Sequence, residues 1–174
     1  MKEVGPTRLH RLFYPVVPVI VMAGEGEGLA MAAVSSAMPV AQKPPYVALA
    51  LLKGSRTLSA ILRHKGFSLN WLDFMHVRAL DVAGFTIARG VEKLARMTLT
   101  CQSWKGIPYL EQAAALVLAR LRSSHRMGDH VLVIGRAIRA EAQEAFGDYW
   151  DYAHYKPALY LGSVGNLGRY ATIA

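Results

Sequence analysis

The apolar residues of this chain come in short runs closed by proline or glycine. Val16–Ala23 is valine-rich, carries Pro15 and Pro18 at its start and ends at Gly24-Glu25-Gly26-Glu27-Gly28. Tyr46–Leu52 sits between Lys43-Pro44-Pro45 and Lys53-Gly54-Ser55. Apolar runs of this length between turn residues mark buried strands. A membrane-spanning helix needs about 18 apolar residues in succession, and neither run approaches that. The first run follows Lys2, Arg8 and Arg11 and so imitates a signal peptide. Its prolines break a helical segment, and Ala23-Gly24-Glu25 is a poor cleavage site. The expectation is a cytoplasmic protein with no membrane partner.

Further strands are expected at Leu29–Ser36, Phe67–Leu72 and Met97–Cys101. Thr57–Lys65 reads as a short helix, with Ser55 as its cap and Gly66 closing its end. Asp73–Arg89 has helical spacing, with Phe74, Val77, Leu80, Val82 and Phe85 on one broad apolar face. Val131–Ile138 alternates clearly, and the Gly128-Asp129 turn before it predicts a hairpin. Its partner must then be Glu111–Arg122, whose alanines and leucines favour a helix by propensity. Strands dominate and helices are interspersed. The architecture expected is one domain over residues 1–174, mainly β, a barrel with helical insertions.

The chain is 53% apolar and only 18% charged, more burial than one small domain needs, which predicts a sizeable oligomer interface. Lysine and arginine total 20 against 12 acidic residues, a net charge of +8. Such a surface attracts phosphates, but the cations are scattered and no run reaches five, so nucleic acid is not the expected partner. The single cysteine, Cys101, excludes an internal disulfide and a multi-thiolate metal site, and fits a reducing compartment as a buried thiol. None of the six histidines pairs with a carboxylate at metal-ligand spacing, so no metal is expected. No nucleophile elbow, Walker loop or zinc-protease motif occurs.

Three stretches could touch a phosphate. The two glutamates of Gly24–Gly28 would repel it, so that loop reads as a hairpin turn. Gly162–Gly168 has no following helix and reads as a tail able to fold over a site or a partner subunit. Lys53-Gly54-Ser55-Arg56-Thr57 lies between a buried strand and a helix start. There, free backbone N–H groups, two hydroxyls and two cations could hold an anion. The same residues also suit an ordinary capped, solvated turn.

The order of motifs shifts the balance towards the anion site. Ala32-Ala33-Val34-Ser35-Ser36 is followed by Pro44-Pro45-Tyr46-Val47, Ser55-Arg56-Thr57-Leu58-Ser59-Ala60-Ile61 and Phe67-Ser68-Leu69-Asn70-Trp71-Leu72. Gly90-Val91-Glu92-Lys93-Leu94, Gly128-Asp129-His130, Leu132-Val133-Ile134-Gly135-Arg136 and Pro157-Ala158-Leu159-Tyr160 come after. From about Tyr14 to Tyr170 this succession resembles the flavin reductase family, with its FMN-binding split β-barrel of Greek-key type. The family topology also makes Glu111–Arg122 a strand.

The resemblance implies FMN, or FAD, at a homodimer interface. It implies NADH or NADPH as donor and hydride transfer to flavin N5, with a monooxygenase or another acceptor receiving the electrons. Cofactor contacts are implied at Ala33, Val34, Ser35 and Ser36, at Lys53, Ser55, Arg56 and Thr57 for the phosphate, and at Lys93. His130 is implied beside the nicotinamide, in a catalytic role. Met38 stands where the family carries a polar residue, so contacts to the ring fall mostly to the backbone. Hydride transfer between cofactors needs neither a protein nucleophile nor a strong base, which fits the missing motifs. Two other readings share the barrel: an FMN electron carrier without reductase activity, and a basic phosphate- or nucleic-acid-binding barrel.

Overall fold

Both apolar runs form inner strands of one antiparallel sheet, each next to an end strand. The computed structural model describes residues 1–162 and 169–173. Seven strands make the main sheet. They are Val19–Ala23 (β1), Ala30–Val34 (β2), Met38–Gln42 (β3), Pro45–Leu52 (β4), Gly66–Trp71 (β5), Ala115–Met127 (β8) and His130–Ala142 (β9), in the order β2-β1-β5-β8-β9-β4-β3. Cys101–Trp104 (β6) pairs with Ile107–Leu110 (β7), and Leu159–Tyr160 (β10) with Tyr170–Ala171 (β11). Among the described residues three α-helices, Arg56–His64 (α1), Val77–Phe85 (α2) and Gly90–Met97 (α3), pack with the strands. Among the described residues no helix is long and apolar enough to cross a membrane.

β1 explains why its sequence is apolar without a break. Ile20 and Met22 face one core with Leu80, Ile107, Leu110 and Leu118. Val19, Val21 and Ala23 face a second with Leu49, Ile61, Phe67 and Val133. A strand covered on both faces has no position for a polar side chain. The polar Asn70, fully buried on β5, is satisfied throughout. Its Nδ2 donates to Ile20 O (2.9 Å) and Ser68 Oγ (2.8 Å), and its Oδ1 accepts from Leu110 N (2.9 Å). Gly135 lets Phe67 enter the second core, because a Cβ there would lie 2.5 Å from the ring.

Several sequence expectations shift. Lys65, at φ 56°, makes the left-handed turn that ends α1, and Gly66 begins β5 instead of closing the helix. Asp73–Arg89 is not one helix: a 3-10 turn at Phe74–His76 leads into α2, which stops at Thr86. Met97–Cys101 is not a strand. Met97 ends α3, Thr98 turns left-handed at φ 55°, and β6 starts at Cys101. β3, fully exposed, was not expected. The Gly128-Asp129 hairpin is present, and Ala115–Met127 is a strand despite its helical composition.

The barrel is split. The sheet's end strands, β2 and β3, do not pair with each other. One hydroxyl bridges the seam: Ser36 Oγ accepts from Ala50 N and donates to Ala50 O, both at 3.0 Å. β4 thus has its edge groups satisfied by a side chain, just beyond the point where β3 leaves it.

Candidate functional site

A cleft of about 1160 Å³ opens along this seam. β2 and the residues following it, Ala32 to Met38, form one side, and Ala50, Leu51 and Leu52 of β4 another. The N-terminal 3-10 segment Pro6–Phe13 and Tyr14 close it from above, and Ser55, Asp129 and His130 stand at one end. The side chains along Ala32–Ala37 are all small, which leaves room for a planar ligand against the backbone.

The direction of the β2 backbone follows from its neighbours. Ile20 O accepts from Asn70 on β5, so Ile20 turns its backbone groups towards β5. Val21, one residue on, must turn towards β2, where it pairs with Ala32. Ala32 is therefore bonded within the sheet, and Met31 and Ala33 face the free edge. Lys93 confirms this for Met31, since its Nζ reaches Met31 O (3.4 Å) from outside the sheet while donating to Ala83 O (2.7 Å). Leu29 O faces the same way, packed against Gly90, where a Cβ would lie 2.5 Å from the Leu29 carbonyl carbon. α3 thus covers the edge at Leu29 and Met31 and leaves the N–H and C=O of Ala33 open to the cleft.

The polar end of the cleft is built from two joined turns. Ser55 caps α1, its Oγ accepting from Leu58 N at 3.3 Å. Lys53 N donates to Asp129 O at 3.0 Å, which ties the β4–α1 turn to the β8–β9 hairpin. Asp129 Oδ1 lies 2.7 Å from His130 Nδ1. That hydrogen bond, with the charge of His130, holds the Asp129 carboxyl below its ordinary range. A carboxylate can only accept, so Nδ1 carries the proton and Nε2 is the free nitrogen of a ring that is 43% exposed. At the opposite wall, burial and the nearby Tyr160 raise the Tyr14 phenol, and a hydrogen bond with Ser35 partly offsets them.

Ala33, Val34, Ser35, Ser36, Ser55 and His130 all line the cleft. Ser36 spends its hydroxyl on Ala50. Arg56 faces instead a second cavity of about 320 Å³ on the far side of the same turn. Lys53 and Thr57 line neither; Thr57 is buried in the first turn of α1 at 3% exposure. Lys93 is buried with its ammonium on two carbonyls, and burial, then Arg56, pushes its pKa down. The sequence reading missed the Pro6–Phe13 wall, which has no buried residue to give it a periodic signal. The Gly162–Gly168 tail lies, after Gly162, outside the described residues.

Comparison with known proteins adds the following. A model described as "Flavin reductase like domain" matches residues 9–163. An uncharacterized protein of Aeropyrum pernix is 28% identical over 172 residues, covering 97% of this chain and 65% of that protein. The chain therefore spans less than two thirds of that relative's length. An FMN-binding protein from Thermus thermophilus superimposes with a TM-score of 0.80 at 23% identity, covering 100% of this chain and 95% of that one. An NADH:FAD oxidoreductase of Streptomyces globisporus gives 0.81 at 20% identity, with coverage of 100% and 98%. Flavoredoxin of Desulfovibrio vulgaris (Miyazaki F) gives 0.81 at 20% identity, with coverage of 100% and 94%. At these identities the structures establish the shared split-barrel fold.

Proposed function

This chain belongs to the flavin reductase-like family, and from that premise we propose that it binds FMN in the seam cleft and reduces it with NADH or NADPH. The observation that carries the proposal is the open backbone edge at Ala33. A flavin's pyrimidine edge alternates donors and acceptors, and an unpaired strand offers the complementary set. The small side chains from Ala32 to Ala37 fit a flat ring lying against that edge. The start of α1 suits the phosphate, through free N–H groups and the Ser55 hydroxyl. Thr57, being buried, contributes there through its backbone.

A flavin held there by the Ala33 edge and the start of α1 would supply the redox chemistry, as acceptor at N5 of a hydride from a nicotinamide. The protein's part is to bind, orient and exclude water. Phe13 and Tyr14 cover the cleft. His130 stands where a nicotinamide entering from the mouth would pass. With Nδ1–H donated to Asp129, Nε2 is left to meet the carboxamide of a nicotinamide, accepting from its N–H or, as the imidazolium, donating to its carbonyl. Donation towards flavin N5 would need the imidazolium.

Titrating the purified protein with FMN and then mixing with NADH or NADPH tests this. The flavin's visible band should shift on binding and bleach on mixing. In His130→Ala, reduction should slow by about three- to tenfold, the loss of one hydrogen bond, with FMN affinity unchanged. Tight FMN binding without any oxidation of either nicotinamide would favour an electron carrier. Electrons then pass to a monooxygenase or another acceptor.

We also propose that two copies pair across this face. Leu12, Phe13 and Met38 are 63%, 74% and 52% exposed beside the cleft. Light scattering should report a dimer, and Phe13→Glu should shift it towards monomer. A wild-type monomer at micromolar concentration would exclude the pairing.

A further inference from the structure

Where β8 and β9 run side by side, their register sets Arg120 directly opposite Arg136. Like charges placed opposite each other on one face of a sheet destabilise it. Arg120 leans towards β5, over Gly66, where a Cβ would lie 3.1 Å from its Nη1, and its Nη2 donates to Lys105 O at 2.8 Å. Arg136 is exposed. Two further cations gather at the tip of the β6–β7 hairpin. Lys105 Nζ stands 4.5 Å, and the Arg139 guanidinium 5.1 Å, from the centre of the Trp104 ring. Both lie within cation–π range.

Two carboxylates stand near these cations. Glu141 is ion-paired with Arg139, and a Cβ on Gly106 would lie 3.0 Å from Glu25 Oε1. Among the described residues Lys105, Arg120 and Arg136 have no salt bridge. The sheet therefore keeps a repulsive pair that nothing within it neutralises. Local rules of this kind are broken chiefly at functional sites. Guanidinium forks match carboxylates bidentately. A compact cluster, interrupted by Glu25 and Glu141 and with the Trp104 ring already carrying two cations, suits a patch of carboxylates better than the continuous track of a nucleic-acid backbone.

We propose that this patch is a docking surface for a protein that presents a cluster of carboxylates. Arg136 shares one face of β9 with His130, about 20 Å away at the strand's rise per residue. The surface is thus separate from the cleft, and the inference does not depend on what the cleft holds.

Anisotropy of a labelled oligoglutamate peptide, titrated with the full-length protein at low ionic strength, tests this. The wild type should bind, and added salt should weaken the binding steeply. Arg136→Glu should weaken it by about tenfold. The same substitution should raise the melting temperature by about 1–4 °C, since an attractive cross-strand pair replaces a repulsive one. Lys105→Asn removes a cation but keeps a residue that tolerates the turn's φ of 50°, and should weaken binding about threefold. FMN titrations should be unchanged in both variants. Peptide binding intact in Arg136→Glu, or a melting temperature that fails to rise, would overturn the proposal. So would a wild type that ignores the peptide, or one that binds an oligothymidylate more tightly than the oligoglutamate. A shift of Arg136→Glu from dimer to monomer would assign the patch to contact between copies of this chain and also overturn it.

Discussion

Proline at position 32 should destabilise the protein severely, whereas proline one residue later should leave it folded and weaken its grip on flavin. Ala32 faces β1, paired with the fully buried Val21. Proline there deletes a ladder N–H and orphans a carbonyl on β1 in a place water cannot reach. The orphaned group alone costs about 1–3 kcal/mol, and the ring's steric demands add to it. Ala33 points its N–H at the open cleft. Proline on an edge strand is tolerated when the missing N–H faces outwards, and β2 is an edge strand. Ala33→Pro should therefore keep most of its stability in urea and lose FMN affinity by about tenfold, since the lost donor is one the ring would use. Equal destabilisation by both substitutions would mean that the alternation along β2 has been misassigned.

Gly90→Ala should cost about 3 kcal/mol, near the upper end for overpacking. The added methyl would lie 2.5 Å from the Leu29 carbonyl carbon and closer still to its oxygen. These are backbone atoms of adjoining elements and cannot rotate away. α3 must move off the edge of β2, and Lys93 then loses its reach to Met31. An ammonium that burial already disfavours would be left with fewer partners. Chemical denaturation reads the loss. A cost under about 0.5 kcal/mol would show that α3 is not clamped to β2 as described.

How much of this was legible beforehand depends on what each residue faces. β1, β4 and β9 announce themselves because burial demands unbroken or alternating apolar residues. β8 is legible only through its partner, since the Gly128-Asp129 hairpin overrides the helical preference of its alanines and leucines. β3 is illegible: Met38–Gln42 is exposed on both faces, and nothing in its composition reports the pairing with β4. Met-Thr-Leu-Thr-Cys at 97–101 looks like a strand, yet Thr98 adopts a left-handed turn that ends a helix packed on β2. The Ser55 cap of α1 was readable because capping is local chemistry. The open edge at Ala33 was not, because it exists only where α3 stops covering β2. The division of Ser55 and Arg56 between two cavities was equally hidden, since adjacent residues in a helix start diverge only once the walls are in place.

The single-hydroxyl seam at Ser36 has a thermodynamic consequence. β2 and β3 do not meet, and a flat molecule with amide-like edges carries donors and acceptors that could pair with the strand edge left open between them. A flavin seated there would act as a structural member of the sheet as well as a reagent. Any ligand bound only by the folded form adds its own term to stability, about 2.7 kcal/mol at one hundred times its dissociation constant. For a chain whose barrel is left open along one side, saturation with cofactor would thus raise the melting temperature, and the rise would grow with the logarithm of the free cofactor concentration.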